Sequence, residues 1–227
     1  MNSEDLLFID FETNKQGDFY LMGYQVNGKT HQVVLDTELQ GFADHNGLPV
    51  VPPNEAILDI IQLVLRRGLR ICAYGTLEKS ILQNMASSVQ LSGLEKAIYV
   101  NLHGAAKRWK NKFYRDYFES LPPIRKGADV FTSKVQRHSL ISLCRLAGIE
   151  APSDYAPGKT TSRFNALIKS LKIKNQAYGD LGPSTKAKGT KALKHNLFDV
   201  EALPILYAAI ARDDPGLIDW ASSHLMA

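Results

Sequence analysis

Cysteine is nearly missing from this sequence: Cys72 and Cys144 are the only two in 227 residues. That excludes a small disulfide-stapled scaffold, which needs several bridges. Both lie in apolar surroundings, RICAYG and ISLCRLAG, and are expected as small core residues in a reducing compartment, hence a cytoplasmic location. No Cys/His pattern has zinc spacing, which removes a structural zinc. No apolar run reaches the roughly 18–20 residues that a membrane-spanning helix needs. The start, MNSEDLLF, is acidic and lacks a basic stretch, so no secretory leader is expected. GPSTKAKGTK lacks the GxxxxGK[ST] order of a phosphate loop, and no Ser-His-Asp or nucleophilic-cysteine signature is present. Neither charge sign dominates: a net +4 permits an acidic partner without requiring one.

What is present is a 44% apolar chain, enough for an ordinary core in one domain over residues 1–227. DLLFIDFE at 5–12 reads as a strand. FYLMGYQVNGKTHQVVLD at 19–36 reads as a hairpin around Asn27-Gly28. Residues 37–52 are polar and read as a loop. PNEAILDIIQLVLRRG has helical periodicity, with Asn54 as its cap and Gly68 as its stop. LRICAYG and AIYVNL read as buried strands on either side of a helix that starts after Thr76. In KRWKNKFYR, Trp109 and Phe113 are spaced i, i+4 and are expected in the core. Residues 151–190 read as a basic, loop-rich insertion, and 191–214 as a last helix that Pro204 kinks. The order predicts an α/β fold. An N-terminal antiparallel meander is followed by parallel strands in one mixed sheet, flanked by helices.

The exceptions to this apolar pattern are acids. Asp10 and Glu12 are i and i+2 on a strand and point to one face. Two carboxylates that close raise each other's pKa, and a divalent cation removes the penalty. Taken alone, the spacing also suits a strand end where Asp10 accepts backbone N–H groups and Glu12 opens a loop. Further along, AYGTLEKSIL puts Glu78 just after a buried strand, and HNLFDVEAL puts Asp199 among apolar helix residues.

Together these blocks resemble the DEDD exonuclease superfamily on a ribonuclease H-like fold, and most closely its predicted nuclease branch found with RecB-like nucleases. The resemblance covers about residues 5 to 210, with its signal in three short blocks. It implies a 3′–5′ exonuclease with two divalent ions, Mg²⁺ or Mn²⁺, held by Asp10, Glu12, Glu78 and Asp199. Asn101 stands where relatives often carry aspartate. His195 lies four residues before Asp199, the offset of the tyrosine-type subgroup, whereas the histidine-type places its histidine five before. His195 is the expected proton acceptor, since an imidazole four residues away shares a helical face with Asp199.

Between residues 159 and 194, Asp180 is the only acid among many lysines and arginines. Lys186, Lys188, Lys191 and Lys194 are therefore expected to contact the phosphates of a single-stranded DNA or RNA substrate. Two other functions fit the same sequence: a nucleic-acid-binding module of the same fold without catalysis, and an endonuclease using the same site.

Overall fold

The run LLFIDFET forms β1 (Leu6–Thr13), the strand on which the rest is laid. The computed structural model describes residues 5–14, 16–89, 93–122, 125–126, 129–130, 138–152, 155, 159–174 and 177–226. After β1 come β2 (Phe19–Val26), β3 (Lys29–Val34), α1 (Gln40–Asn46), α2 (Pro53–Arg67), β4 (Arg70–Ala73), α3 (Leu77–Val89) and β5 (Ile98–Asn101). The second half adds α4 (Leu102–Phe113), α5 (Arg115–Ser120), the short pair β6 (Arg125–Lys126) and β7 (Asp129–Val130), and α6 (Leu140–Cys144). It ends with α7 (Thr160–Lys174), α8 (Pro183–Asp213), α9 (Pro215–Ala221) and β8 (Ser222–His224).

Six strands form one mixed sheet in the order β3-β2-β1-β4-β5-β8. The β1–β2–β3 meander is antiparallel, β1–β4 and β4–β5 are parallel, and β8 closes the edge antiparallel to β5. This is the mixed, helix-flanked sheet expected from the order of elements. The hairpin turn also follows its sequence, since Asn27 and Gly28 both adopt positive φ, as a two-residue turn of this kind requires. β8 was not legible, because SSH is too short and polar to carry a strand pattern.

Alternation along β1 divides the interior. Leu7, Ile9 and Phe11 pack against α2 and α3 with Ile57, Ile61 and Leu82. Leu6 and Phe8 face the other way, against Trp109 of α4 and Leu203, Leu206 and Tyr207 of α8. Asp10 and Glu12 continue that second face. A 31-residue helix is ~46 Å long at 1.5 Å per residue, and α8 lies across β1, β2 and β3. Its N-terminal half covers a third cluster containing Leu21, Phe42, Phe164 and Ala192. Each fully buried leucine contributes on the order of 2 kcal/mol, which anchors α8 against the strands. Among the described residues no helix is long and apolar enough to cross a membrane.

Several local expectations are corrected. Residues 37–52 are not all loop: a 3₁₀ turn at Thr37–Leu39, capped by the Asp36 carboxylate accepting from Glu38 N–H, leads into α1. Phe42 and Ala43 drive it by burying their side chains, and Gly47 at φ 65° stops it. Asn54 does not cap α2; Pro53 occupies its first position, where a missing N–H costs nothing. The basic stretch 151–190 contains α7 and the start of α8. Thr160, Phe164 and Leu167 repeat at helical spacing and are buried. Gly189 is helical for a contact reason: a Cβ there would lie 2.6 Å from Phe42 Cε2. Trp109 is in the core, its indole N–H donating to Asp213 at 2.9 Å, but Phe113 is exposed. Both cysteines are free and buried, as expected.

One row of the sheet sets the helix position. Gln32, Gly23 and Asp10 lie side by side across β3, β2 and β1. A Cβ on Gly23 would come within 2.3 Å of Asn196 Oδ1 and 2.7 Å of Val200 Cγ2. Gly23 therefore lets α8 settle onto the sheet. Gly23→Ala is expected to destabilise the chain by about 1–3 kcal/mol through overpacking. Gly179→Ala, where a Cβ meets nothing within 4 Å, should change it little. Urea unfolding of both variants checks this.

Candidate active site

β1 pairs with β4 only from Leu6 to Phe8. Beyond that level β4 has ended and its chain turns through Tyr74, Gly75 and Thr76 into α3. The sheet therefore opens at the C-terminal ends of β1 and β4. Asp10 and Glu12 flank the opening from β1, Glu78 enters it from the first turn of α3, and Asp199 comes down from the middle of α8. Glu78 is only 6% exposed, and Asp199 is nearly buried. Asp10 and Glu12 keep a part-exposed edge although neighbouring atoms surround them.

The four carboxylates act on one another. Burial, then Glu12, Asp199 and Glu78, push the Asp10 carboxyl well above its ordinary range, against a hydrogen bond from Asn196. Burial and then Asp199 push Glu12 up to about 8, against the Thr160 hydroxyl and the Arg163 guanidinium. Burial raises Glu78, with a further push from Asp199, while the backbone amides of Glu78 and Gly75 offset part of it. The structure thus brings together all four acids singled out from the sequence.

Neutral donors hold them in place. Asn196, fully buried, drops its amide into the space above Gly23. Its Nδ2 donates to Asp10 Oδ2 at 2.8 Å, and its Oδ1 accepts from Gln32 Nε2 at 3.0 Å. Gln32 Nε2 also donates to the Leu193 carbonyl at 3.0 Å. The Tyr155 hydroxyl donates to Asp199 Oδ1 at 2.7 Å. His195 Nε2 is 3.2 Å from Asp199 Oδ2, within reach of an imidazole N–H donating to a carboxylate. The His195 ring is buried and stacked on Tyr155, 4.1 Å between centroids at 13°, and Phe198 packs on the far ring at 4.9 Å. His195 Nδ1 is buried without a hydrogen-bond partner, as is Glu78 Oε2.

This donor set fits divalent cations. Ligand atoms of Glu12, His195 and Asp199 lie within 4.8 Å of one another. Glu78 Oε2, a buried carboxylate oxygen without a hydrogen-bond partner, is free to accept a cation. Carboxylate oxygens are the ligands that Mg²⁺ and Mn²⁺ take.

The remaining expected residues separate. Lys186 is engaged, its amine donating to the Gly179 carbonyl at 2.5 Å and lying over the Tyr178 ring. Lys188, Lys191 and Lys194 are exposed along α8, on the arm that leads to His195. Asn101 caps α4, accepting from Gly104 N–H at 3.3 Å. Sequence reasoning missed Asn196, although it lies three residues before Asp199 on the same helix face. It also missed Tyr155 and Thr160, which precede or begin α7 far from Asp199 in the chain, with no pattern tying them to it.

No protein-family model, curated protein or solved structure matches the chain.

The raised carboxyls make stability depend on pH. A carboxyl whose pKa rises on folding keeps a proton in the folded form that the unfolded chain has already lost. For Glu12 that window runs from its ordinary 4.5 to about 8. Its unfavourable contribution is absent below the lower value and fully developed above the upper. In EDTA, the thermal midpoint should fall as pH rises across this window, and Glu12→Gln should flatten the fall. Melting curves followed by circular dichroism between about pH 5 and pH 8 check both; a midpoint that rises with pH contradicts the site's electrostatics.

Proposed function

We propose that this chain is a metal-dependent nuclease that hydrolyses phosphodiester bonds, acting as a 3′–5′ exonuclease on single-stranded DNA or RNA. The observation that carries the reading is the convergence of Asp10, Glu12, Glu78 and Asp199, from one strand and two helices, at an open sheet end. A buried structural role would pair such acids with lysine or arginine; here they chiefly face one another and neutral donors. The meander followed by parallel strands, with acids on the central strand, agrees with the resemblance to the ribonuclease H-like fold and the DEDD superfamily.

Asp10, Glu12, Glu78 and Asp199 would hold the ions. A pair of Mg²⁺ or Mn²⁺ ions supplies a strong nucleophile near neutral pH and neutralises charge on the leaving oxygen. The chain's own residues prepare the site for that chemistry. Asn196 fixes the Asp10 carboxylate from one side, with Gln32 fixing Asn196 in turn. Tyr155 fixes one oxygen of Asp199 and His195 the other. Arg163 is placed to act on Glu12 and donates to the Lys191 carbonyl, tying α7 to α8 beside the site. Lys188, Lys191 and Lys194 would meet the substrate's phosphates along α8.

For His195 we propose a role other than the proton acceptor expected from the sequence. Its Nε2 is turned to Asp199 and its Nδ1 is sealed inside. With Nε2 engaged by Asp199 and Nδ1 buried, His195 acts as a positioning residue for Asp199. His195→Ala should weaken metal activation or rate by about 10–100-fold, seen as a higher Mg²⁺ concentration at half-maximal activity, and His195→Gln should recover part of the loss. A shifted acid limb of the pH–rate profile, with metal activation unchanged, would return His195 to the role of base.

The activity itself is tested with end-labelled linear and circular single strands in Mg²⁺, Mn²⁺ or EDTA. The reading predicts stepwise shortening of linear strands from the 3′ end, none in EDTA, intact circles, and loss of turnover to background in Asp10→Asn. Cleaved circles would make the enzyme an endonuclease. Hydrolysis that persists in purified Asp10→Asn would remove the carboxylate cluster from the chemistry.

A further inference from the structure

Past the end of β4, Tyr74 separates the carboxylates from a second group of polar side chains, and this one is basic. The Tyr74 phenol is near enough to Asp199 to feel its charge, behind the larger effect of burial. Its ring packs on the His103 imidazole at 5.2 Å, and its O–H donates to the His138 backbone carbonyl at 2.5 Å. His103, Lys107 and Lys110 stand at i, i+4 and i+7 of α4, on one helix face. Lys110 is only 6% exposed, rare for lysine. Its amine lies 3.3 Å from His138 Nε2 and 5.0 Å from the centre of the Phe118 ring. Lys107 is exposed, and both histidines keep an accessible edge, so the group opens to solvent.

The electrostatics mirror the carboxylate cluster with the sign reversed. Burial, then Lys110, Lys107 and His103, hold the His138 imidazole below its ordinary pKa; Glu119 acts the other way and more weakly. Burial and Lys107 do the same for His103. An anion offering several acceptor oxygens relieves this crowding and can accept from imidazole and ammonium together, and phosphate has that chemistry. The four acids next door repel a polyanion, so a strand drawn to the metal site needs a cationic hold close by.

We propose that His103, Lys107, Lys110 and His138 form a phosphate-binding subsite that holds the backbone phosphate neighbouring the one being cut. This rests on the reading of the carboxylate cluster as a phosphodiesterase site. The subsite would orient the strand across Tyr74, with the scissile phosphate over the acids and the next phosphate over α4. It is distinct from the lysines of α8, which lie on the other side of the opening.

The experiment follows the imidazole proton signals of His103 and His138 by NMR in EDTA, titrating with inorganic phosphate and separately with a short oligothymidylate. Both signals should shift and saturate with both probes. Lys107→Gln should weaken oligothymidylate binding by about tenfold or more and make its log–log salt slope shallower by ~0.7 for the lost phosphate contact. Imidazoles that respond to neither probe overturn the subsite, and they do so even if the strand-shortening assay succeeds, which leaves the nuclease reading standing. Imidazoles that respond to inorganic phosphate but not to the oligomer overturn the assignment to substrate. A response to both probes in a chain that cuts no strand supports the anion subsite while the nuclease reading falls.

Discussion

The amide of Asn196 rests where Gly23 has no side chain, and the geometry of the opening depends on that contact. Gln32, Gly23 and Asp10 form one row across three strands. The gap at Gly23 admits Asn196, which bridges the outer two residues. This fixes both the depth and the rotation of α8. His195, one residue earlier, and Asp199, three later, are thereby set over the end of β1. A single missing Cβ thus links strand register to helix register and helix register to the convergence of acids.

That convergence has an energetic cost. Asp10, Glu12 and Glu78 are each raised by burial and by neighbouring carboxylates. Stability would favour apolar residues or paired charges there. The fold tolerates the cost because large apolar clusters lie on both faces of the sheet and hold β1 and α8 rigidly. The acids are then kept in place by neutral donors, which position them without cancelling their charge. Such an arrangement suits a cation that arrives from solution better than it suits a permanent ion pair.

Much of the architecture was legible because periodicity and turn chemistry agree locally. Asn27-Gly28 specifies the hairpin, Gly68 ends α2, and alternation in LLFIDFET places Asp10 and Glu12 on one face. Asp10, Glu12 and Asp199 were legible for a related reason: each interrupts an apolar pattern, and an interruption in a buried run demands a partner. Glu78 was legible only from its place after a buried strand and from the resemblance. Where the reading failed, the deciding contacts were distant in sequence. Residues 151–190 read as loop-rich, yet Gly189 among them lies inside a helix, where Phe42 leaves no room for a Cβ. Phe113 had core spacing, but of the pair Trp109 alone is buried. Tyr155 and Thr160 reach the site only once α7 and α8 have packed together. His195 was found, while its orientation toward Asp199 could be seen only from the neighbours that enclose it.

The central claim is that these carboxylates exist to hold a divalent cation. Calorimetric titration with Mn²⁺ at about pH 7, near the raised carboxyl of Glu12, in two buffers of different ionisation enthalpy, tests it most directly. A site whose acids retain protons must release them as the metal enters. The account predicts saturable Mn²⁺ uptake accompanied by proton release, and loss of both in Asp10→Asn. Absence of uptake, or uptake unchanged in Asp10→Asn, would contradict it.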